Sequence, residues 1–327
     1  MATIHEVARK AGVSVATVSR VLNDRLKVTE KTRTKVDRAI EDLNYEPSVL
    51  GRNLRNSESR LLLVMIPSIS NPFYSQIING IEDTAVREGY NIMLCETDSN
   101  PEREEIYFSL IRNRLADGII SMDPTVNKKR LQELACTYPI VQCSEYDEDG
   151  TIPHVTIDNE LAAYQAVRHL IKLGQKKIAL LNSDEKFLYA RERQQGYEQA
   201  MQEFDLPIKK EWIYSSNALE FHSGQQAVRT LMSQADKPTA IFAVSDILAI
   251  GALKECNIRG LRVPQDVAIV GFDKISFSNM THPALTTVAQ PMYQMGSISA
   301  GMIIRKIRGD NVESVILDHE LIIREST

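Results

Sequence analysis

The chain has 327 residues, 43% hydrophobic and 25% charged, with a formal net charge of −5. No apolar run approaches the roughly 18 residues a membrane helix needs and no apolar signal region opens the chain, so a membrane span and export are not expected and the expected location is the cytoplasm. Cys95, Cys136, Cys143 and Cys256 show neither CxxC nor Cys/His ligand spacing, so buried thiols are expected, without a disulfide framework, metal or cofactor. The charge is unevenly spread. Residues 1–60 hold 12 Lys and Arg against 8 Asp and Glu, a surplus of four, so the other 267 residues carry −9. A basic head on an acidic body attracts DNA phosphate locally while the body resists non-specific binding.

In chain order, the first predicted elements are three short helices. Ala8 is small enough for a second helix to cross closely, Gly12 permits a tight turn, and Val18 fills the gap between helices, which is the skeleton of a helix-turn-helix. Thr3 and Glu6 are spaced as a capping box, and Ser14 can cap the next helix. Ile4, Val7, Ala8 and Ala11, then Val18, Val21 and Leu22, then Val36, Ile40 and Leu43 recur at helical spacing. The second helix, 15–22, turns Arg20 outward, with Ser14, Thr17, Ser19 and Asn23 nearby for phosphate contacts. A small bundle used for protein contacts is the competing reading of this segment.

From Leu61 onward, short apolar runs alternate with helical stretches. LLLVMI (61–66), NIMLC (91–95), DGIISM (117–122), PIVQC (139–143), HVTI (154–157), KIALL (177–181), AIFAV (240–244) and VAIVGF (267–272) read as strands, mostly buried parallel ones. Helices are predicted over 73–88, 103–115, 161–173, 191–204, 222–232 and 246–256. Such alternation gives right-handed βαβ units and doubly wound sheets, and so many strands fit two similar lobes better than one sheet. Ligands of such folds bind at the carboxyl ends of strands, in the cleft two facing lobes create.

The loops argue against catalysis. No GxGxxG follows a strand, no GxxxxGK[ST] or GxSxG is present, and six scattered histidines form no triad pattern. The body is expected to bind a ligand without transforming it. Asn71-Pro72 starts a helix after the first strand and brings Phe73 and Tyr74 to the cleft mouth, where aromatics can stack on a base or an apolar sugar face. One of the two is expected to be claimed by core packing.

The head, ATIHEVARKAGVSVATVSRVLN followed by VTEKTRTKVDRAIEDLNYEPS, resembles the lactose/galactose repressor family across its length. The body continues the match in order, with IPSISNPFYSQIINGIEDTA, DGII, VTIDN, RQQGY, KPTAIFAVSDILAIGAL, VPQDVAIVGFD and PALTTVAQP. GRNLRNSESR, LTTVAQP and HELIIREST are similar to its cytidine-responsive branch. The resemblance implies an α/β architecture: a three-helix helix-turn-helix head, residues 1–46; a hinge helix or linker, 47–59; and a periplasmic-binding-protein-like body, 60–327. The body would divide into an N-lobe of about 60–159 and 290–318 and a C-lobe of about 160–289 and 319–327.

The resemblance also implies roles. Val15, Ala16 and Arg20 match positions that meet base edges; Val and Ala offer apolar contact, and Arg20 can bridge guanine O6 and N7, the competing role being a phosphate contact. Thr17 and Asn23 complete the DNA-binding set. Leu54 in PSVLGRNLRN matches a leucine that wedges into the minor groove, and Gly51 beside it should leave the hinge helical only on DNA. Arg193, Asp246, Asp273 and Gln290 match polar effector contacts, able to clamp ring hydroxyls by charge-assisted hydrogen bonds. A salt bridge linking the lobes is the competing role for the arginine and the carboxylates. Phe187, Tyr189 and Leu219 fall in variable loops that tune specificity.

The expected partners are double-stranded operator DNA, a small-molecule effector of nucleoside or sugar class, and a second copy of the chain. A dimer is expected because the chain stops at Thr327 without the leucine-heptad helix of the family's tetramers, and it would read a pseudopalindromic operator. The helix containing SISAGMIIRKI lacks the Met-Arg pair by which the catabolite control branch holds a phosphorylated carrier protein, which disfavours a protein corepressor. A solute-binding protein would share the body but not the basic head.

Overall fold

The computed structural model describes residues 2–23, 27–45, 58–123, 128–216 and 219–327. The chain divides into two compact units, Met1–Ser59 and Arg60–Thr327.

The first unit is built of α1 (Ile4–Ala11), α2 (Val15–Asn23) and α3 (Glu30–Leu43). The predicted capping box forms: Glu6 N–H donates to Thr3 Oγ1 at 3.4 Å and Thr3 N–H donates to Glu6 Oε2 at 2.7 Å. Two otherwise orphaned helix-end donors are satisfied reciprocally. Gly12 ends α1 at φ +67°, a conformation a side chain would strain. Ser14 Oγ then accepts from Thr17 N–H at 3.1 Å and starts α2. Val7, Ala8, Ala11, Val18, Val21, Val36 and Ala39 make the core.

The second unit begins with β1 (Leu61–Ile66), α4 (Phe73–Arg87), β2 (Asn91–Glu96), α5 (Pro101–Arg112), β3 (Gly118–Ser121), α6 (Lys128–Ala135), β4 (Ile140–Cys143) and β5 (His154–Ile157). It continues through α7 (Asn159–Lys172), β6 (Ile178–Ser183), α8 (Leu188–Glu203), β7 (Ile213–Ser216), α9 (Phe221–Met232), β8 (Ala240–Ala243), α10 (Asp246–Ile258) and β9 (Ala268–Asp273). It closes with β10 (Thr286–Ala289), α11 (Met292–Ile307), β11 (Val315–Leu317) and β12 (Glu320–Ile322).

Two six-stranded sheets result, ordered β11-β5-β4-β3-β1-β2 and β12-β10-β9-β8-β6-β7. The pairings are parallel except β10 with β12, which is antiparallel. Strand order reverses between β1 and β3 in one sheet and between β6 and β8 in the other, the switch points where α/β sheets hold ligands. Where α4 crosses α11, a Cβ on Gly80 would lie 2.1 Å from the Tyr293 carbonyl oxygen and one on Gly296 2.0 Å from that of Ile77. Only glycine permits this approach.

β7, β10, β11 and β12 were not predicted. β11 and β12 have only three residues each, and IYSS of β7 and TTVA of β10 are half polar. α5 starts earlier than its apolar pattern, because Asn100 caps it by accepting from Glu102 N–H at 2.8 Å and Pro101 opens it.

Candidate effector-binding cleft and DNA-reading helix

On α2, Ala16 and Arg20 are exposed one turn apart, and Arg20 has no ion-pair partner among the described residues. Val15 is half-buried against the head core, and the Thr17 hydroxyl pairs with that of Ser14 at 2.9 Å. A free arginine beside a small residue leaves this helix surface open to a base edge. Asn23 forms the last residue of α2, and Leu54 lies outside the described residues.

A cleft of about 640 Å³ opens at the carboxyl ends of both sheets. After β1 it is lined by Pro67, Ser68, Asn71, Phe73 and Tyr74, and after β2, β3 and β4 by Asp98, Ser99, Met122, Ser144 and Glu145. The second lobe contributes Ser183, Lys186, Phe187, Tyr189, Arg193 and Asp273, Leu219 comes from the loop before α9, and the first turns of α9 and α10 add Phe221, His222 and Ile247. Asn71 Oδ1 accepts from Phe73 N–H at 3.0 Å and sets the start of α4. Phe73 is the aromatic claimed by the core, and it meets half-buried Tyr74 edge-on at 5.2 Å. Phe187 and Tyr189 stack at 5.6 Å from the other side. Ring faces therefore reach the cleft from both lobes.

Arg193 is 4% exposed. Its guanidinium donates to Asn159 Oδ1 at 3.0 Å and the Val244 carbonyl at 2.5 Å, lies 3.6 Å over the Phe272 ring, and comes within 3.6 Å of Asp273 Oδ1. Both partners of that ion pair stand on elements of the second sheet, α8 and β9. It is thus internal to one lobe and does not link the two. Asp273 has φ +115°, a strained value for a residue with a side chain. Gln290 Nε2 donates to its Oδ1 at 2.8 Å and Ser245 Oγ to its Oδ2 at 3.2 Å. Burial pushes its carboxyl up to about 6, against the opposing pull of Arg193.

Asp246 and Gln290 are not among the residues that line the cleft. Asp246 is fully buried, accepting from Thr287 Oγ1 at 2.6 Å and Ile275 N–H at 2.9 Å. Burial and the charge of Asp273 hold its carboxyl well above the ordinary range. Both residues stand behind Asp273 and fix the turn that aims it. Tyr189, placed in a loop by the sequence, lies in the first turn of α8. Glu145, across the cleft at the end of β4, accepts from the N–H groups of Leu188 and Tyr189 and so lengthens that helix. Burial raises the Glu145 carboxyl to about 8. Ser99, Ser144, Glu145 and Ser183 were missed among the cleft residues, although each ends or closely follows a strand, where the carboxyl-end rule points.

The comparisons with known proteins cover both units. The model of "Periplasmic binding proteins and sugar binding domain of LacI family" matches residues 59–325, and that of "Bacterial regulatory proteins, lacI family" matches residues 3–48. This chain belongs to the LacI family. It is a DNA-binding transcriptional regulator, not an enzyme. Catabolite control protein A of Priestia megaterium is 38% identical to this LacI-family chain, covering 99% of each. The transcriptional repressor CytR of Escherichia coli (strain K12) is 36% identical over all of this chain and 96% of its own. These two identities are too close to choose between the branches, so the effector must be argued from the cleft. A solved structure titled as the lac repressor dimer bound to operator and the anti-inducer ONPF superposes with TM-score 0.88 at 27% identity, covering 99% of this chain and 98% of the other. The α/β fold with a helix-turn-helix head stands on the same matches, and among the described residues no helix is long and apolar enough to cross a membrane.

Proposed function

We propose that this regulator is a homodimeric repressor acting in the cytoplasm on a pseudopalindromic operator, with a nucleoside such as cytidine as its inducer. The lac repressor relative is a dimer on operator DNA, and two heads related by a two-fold axis match two half-sites. Val15, Ala16, Thr17, Arg20 and Asn23 are the proposed DNA-reading set, with Leu54 of the 47–59 hinge as the minor-groove wedge. The observation that carries the effector reading is the cleft itself: aromatic pairs on both sides and the Arg193–Asp273 pair on its floor. A base stacks on the rings while ribose hydroxyls meet the carboxylate. Tyr74, Arg193 and Asp273 touch the effector in this scheme, with Phe73 backing Tyr74 from the core; Asp246 and Gln290 position Asp273.

Thermal-shift titration of the full chain against nucleosides and monosaccharides tests the assignment, since a ligand at 100 times its Kd adds about 2.7 kcal/mol. Stabilisation by cytidine is expected, and it should be lost in Asp273→Ala, which still binds operator but no longer releases it. Stabilisation by monosaccharides and by no nucleoside would replace the effector class.

A further inference from the structure

Behind the cleft wall of the first sheet lies a cluster of polar groups that the effector scheme leaves unused. Leu63, Met65, Cys95 and Ile119 pack with Phe108 and Ile111 of α5. Strand alternation therefore turns Ser121, two residues on from Ile119, toward α5 as well. Glu104 shares the stripe of Phe108 and Ile111 and is only 2% exposed, with Oε2 lacking any hydrogen-bond partner among the described residues. Ser121 Oγ and Gln142 Nε2, on register partners of β3 and β4, are buried and unpartnered there too. Asp123 is 1% exposed, and its Oδ2 accepts from Thr97 Oγ1 at 2.9 Å and Ser99 Oγ at 2.7 Å. Ser99 lines the cleft, and it and Asp98 hold left-handed backbone at φ 45° and 54°.

A serine hydroxyl has one proton to give. Ser99 gives it to Asp123, so toward a ligand its oxygen can only accept. A carboxyl enclosed without a cation or a hydrogen-bond donor keeps its proton. We propose that Ser99 is a specificity-determining effector contact that selects an N–H or O–H donor, oriented by Asp123, while Glu104, buried behind it without a hydrogen-bond partner for Oε2 among the described residues, carries a proton at neutral pH. The scheme rests on the cleft being the effector site.

Burial, with the charge of Asp123, pushes Glu104 up to about 8. The other charged groups on the surrounding elements are engaged elsewhere. Glu105 pairs with Arg112 and Arg130, Asp98 with Arg103, and Asp147 with Lys128, while Glu96 accepts from Ile69 N–H.

Carbon-13 NMR of glutamate-labelled protein, with the Glu104 signal assigned by its loss in Glu104→Gln, tests the retained proton without any ligand. It should titrate near pH 8 in the native chain and at lower pH in Asp123→Asn. Calorimetry with cytidine tests the contact: Ser99→Ala and Asp123→Ala should each weaken binding about tenfold. Asp123→Asn should stay within about twofold, because its amide oxygen still accepts the Ser99 proton. A Glu104 signal titrating in the ordinary carboxylate range overturns the retained proton, and native affinity in Ser99→Ala overturns the contact. Failure of the native chain to bind cytidine would count against the nucleoside reading, while the NMR titration still decides the protonation of Glu104.

Discussion

The two walls of the cleft handle buried negative charge in different ways. On the second sheet, Asp273 is met by the Arg193 guanidinium and two neutral donors, so its charge is answered by a cation. On the first sheet, Glu104 is 2% exposed and makes no ion pair among the described residues, and its Oε2 has no hydrogen-bond partner there. There the answer is a retained proton. The difference teaches that a cation beside a buried carboxyl pulls it back toward its charged form, whereas a carboxyl enclosed without one keeps its proton to higher pH.

Breaking the charged wall should have the largest effect. Arg193→Ala leaves buried Asp273 without its cation and removes the guanidinium from the Phe272 face, so urea denaturation should show a loss of about 3–5 kcal/mol. A loss under about 1 kcal/mol would mean that hydrogen bonds alone sustain Asp273. The protonated wall should respond next, and with the opposite sign. A carboxyl raised to about 8 contributes stability fully present below the ordinary 4.5 and lost as pH rises through 8. Glu104→Gln should therefore gain on the native chain between pH 5 and pH 8.5, by about 2–4 kcal/mol. An equal gap at both pH values would show that Glu104 is not the titrating group. The mildest change lies outside the cleft. Arg20→Ala should cost about 1–3 kcal/mol on operator and little on random DNA, measured by fluorescence anisotropy at one salt concentration. Equal losses on both would assign Arg20 to phosphate.

How well these regions could be read from sequence follows the same divide. The head was legible because its signals are local: Thr3 with Glu6, Gly12, and apolar positions at helical spacing. The long apolar strands were legible for a similar reason, while β10 is half polar and β11 and β12 have only three residues each. Family matching pointed to Arg193 and Asp273, which both line the cleft, but could not say that Asp246 and Gln290 stand behind Asp273, because that depends on how β9 and β10 bring their ends together. Glu104 looks like one more solvated charge in PEREEIYFSL. Its only signal is the 104, 108, 111 stripe, which places an acid on an apolar face.

Reciprocal linkage is the most direct test of a cleft that controls DNA binding. Operator affinity should be measured with and without saturating cytidine, and cytidine affinity with and without operator, on the same full-length protein. An inducer must lower operator affinity, and operator must lower cytidine affinity by the same factor. Equal factors well above one are the predicted result. Cytidine binding that leaves operator affinity unchanged would contradict the account.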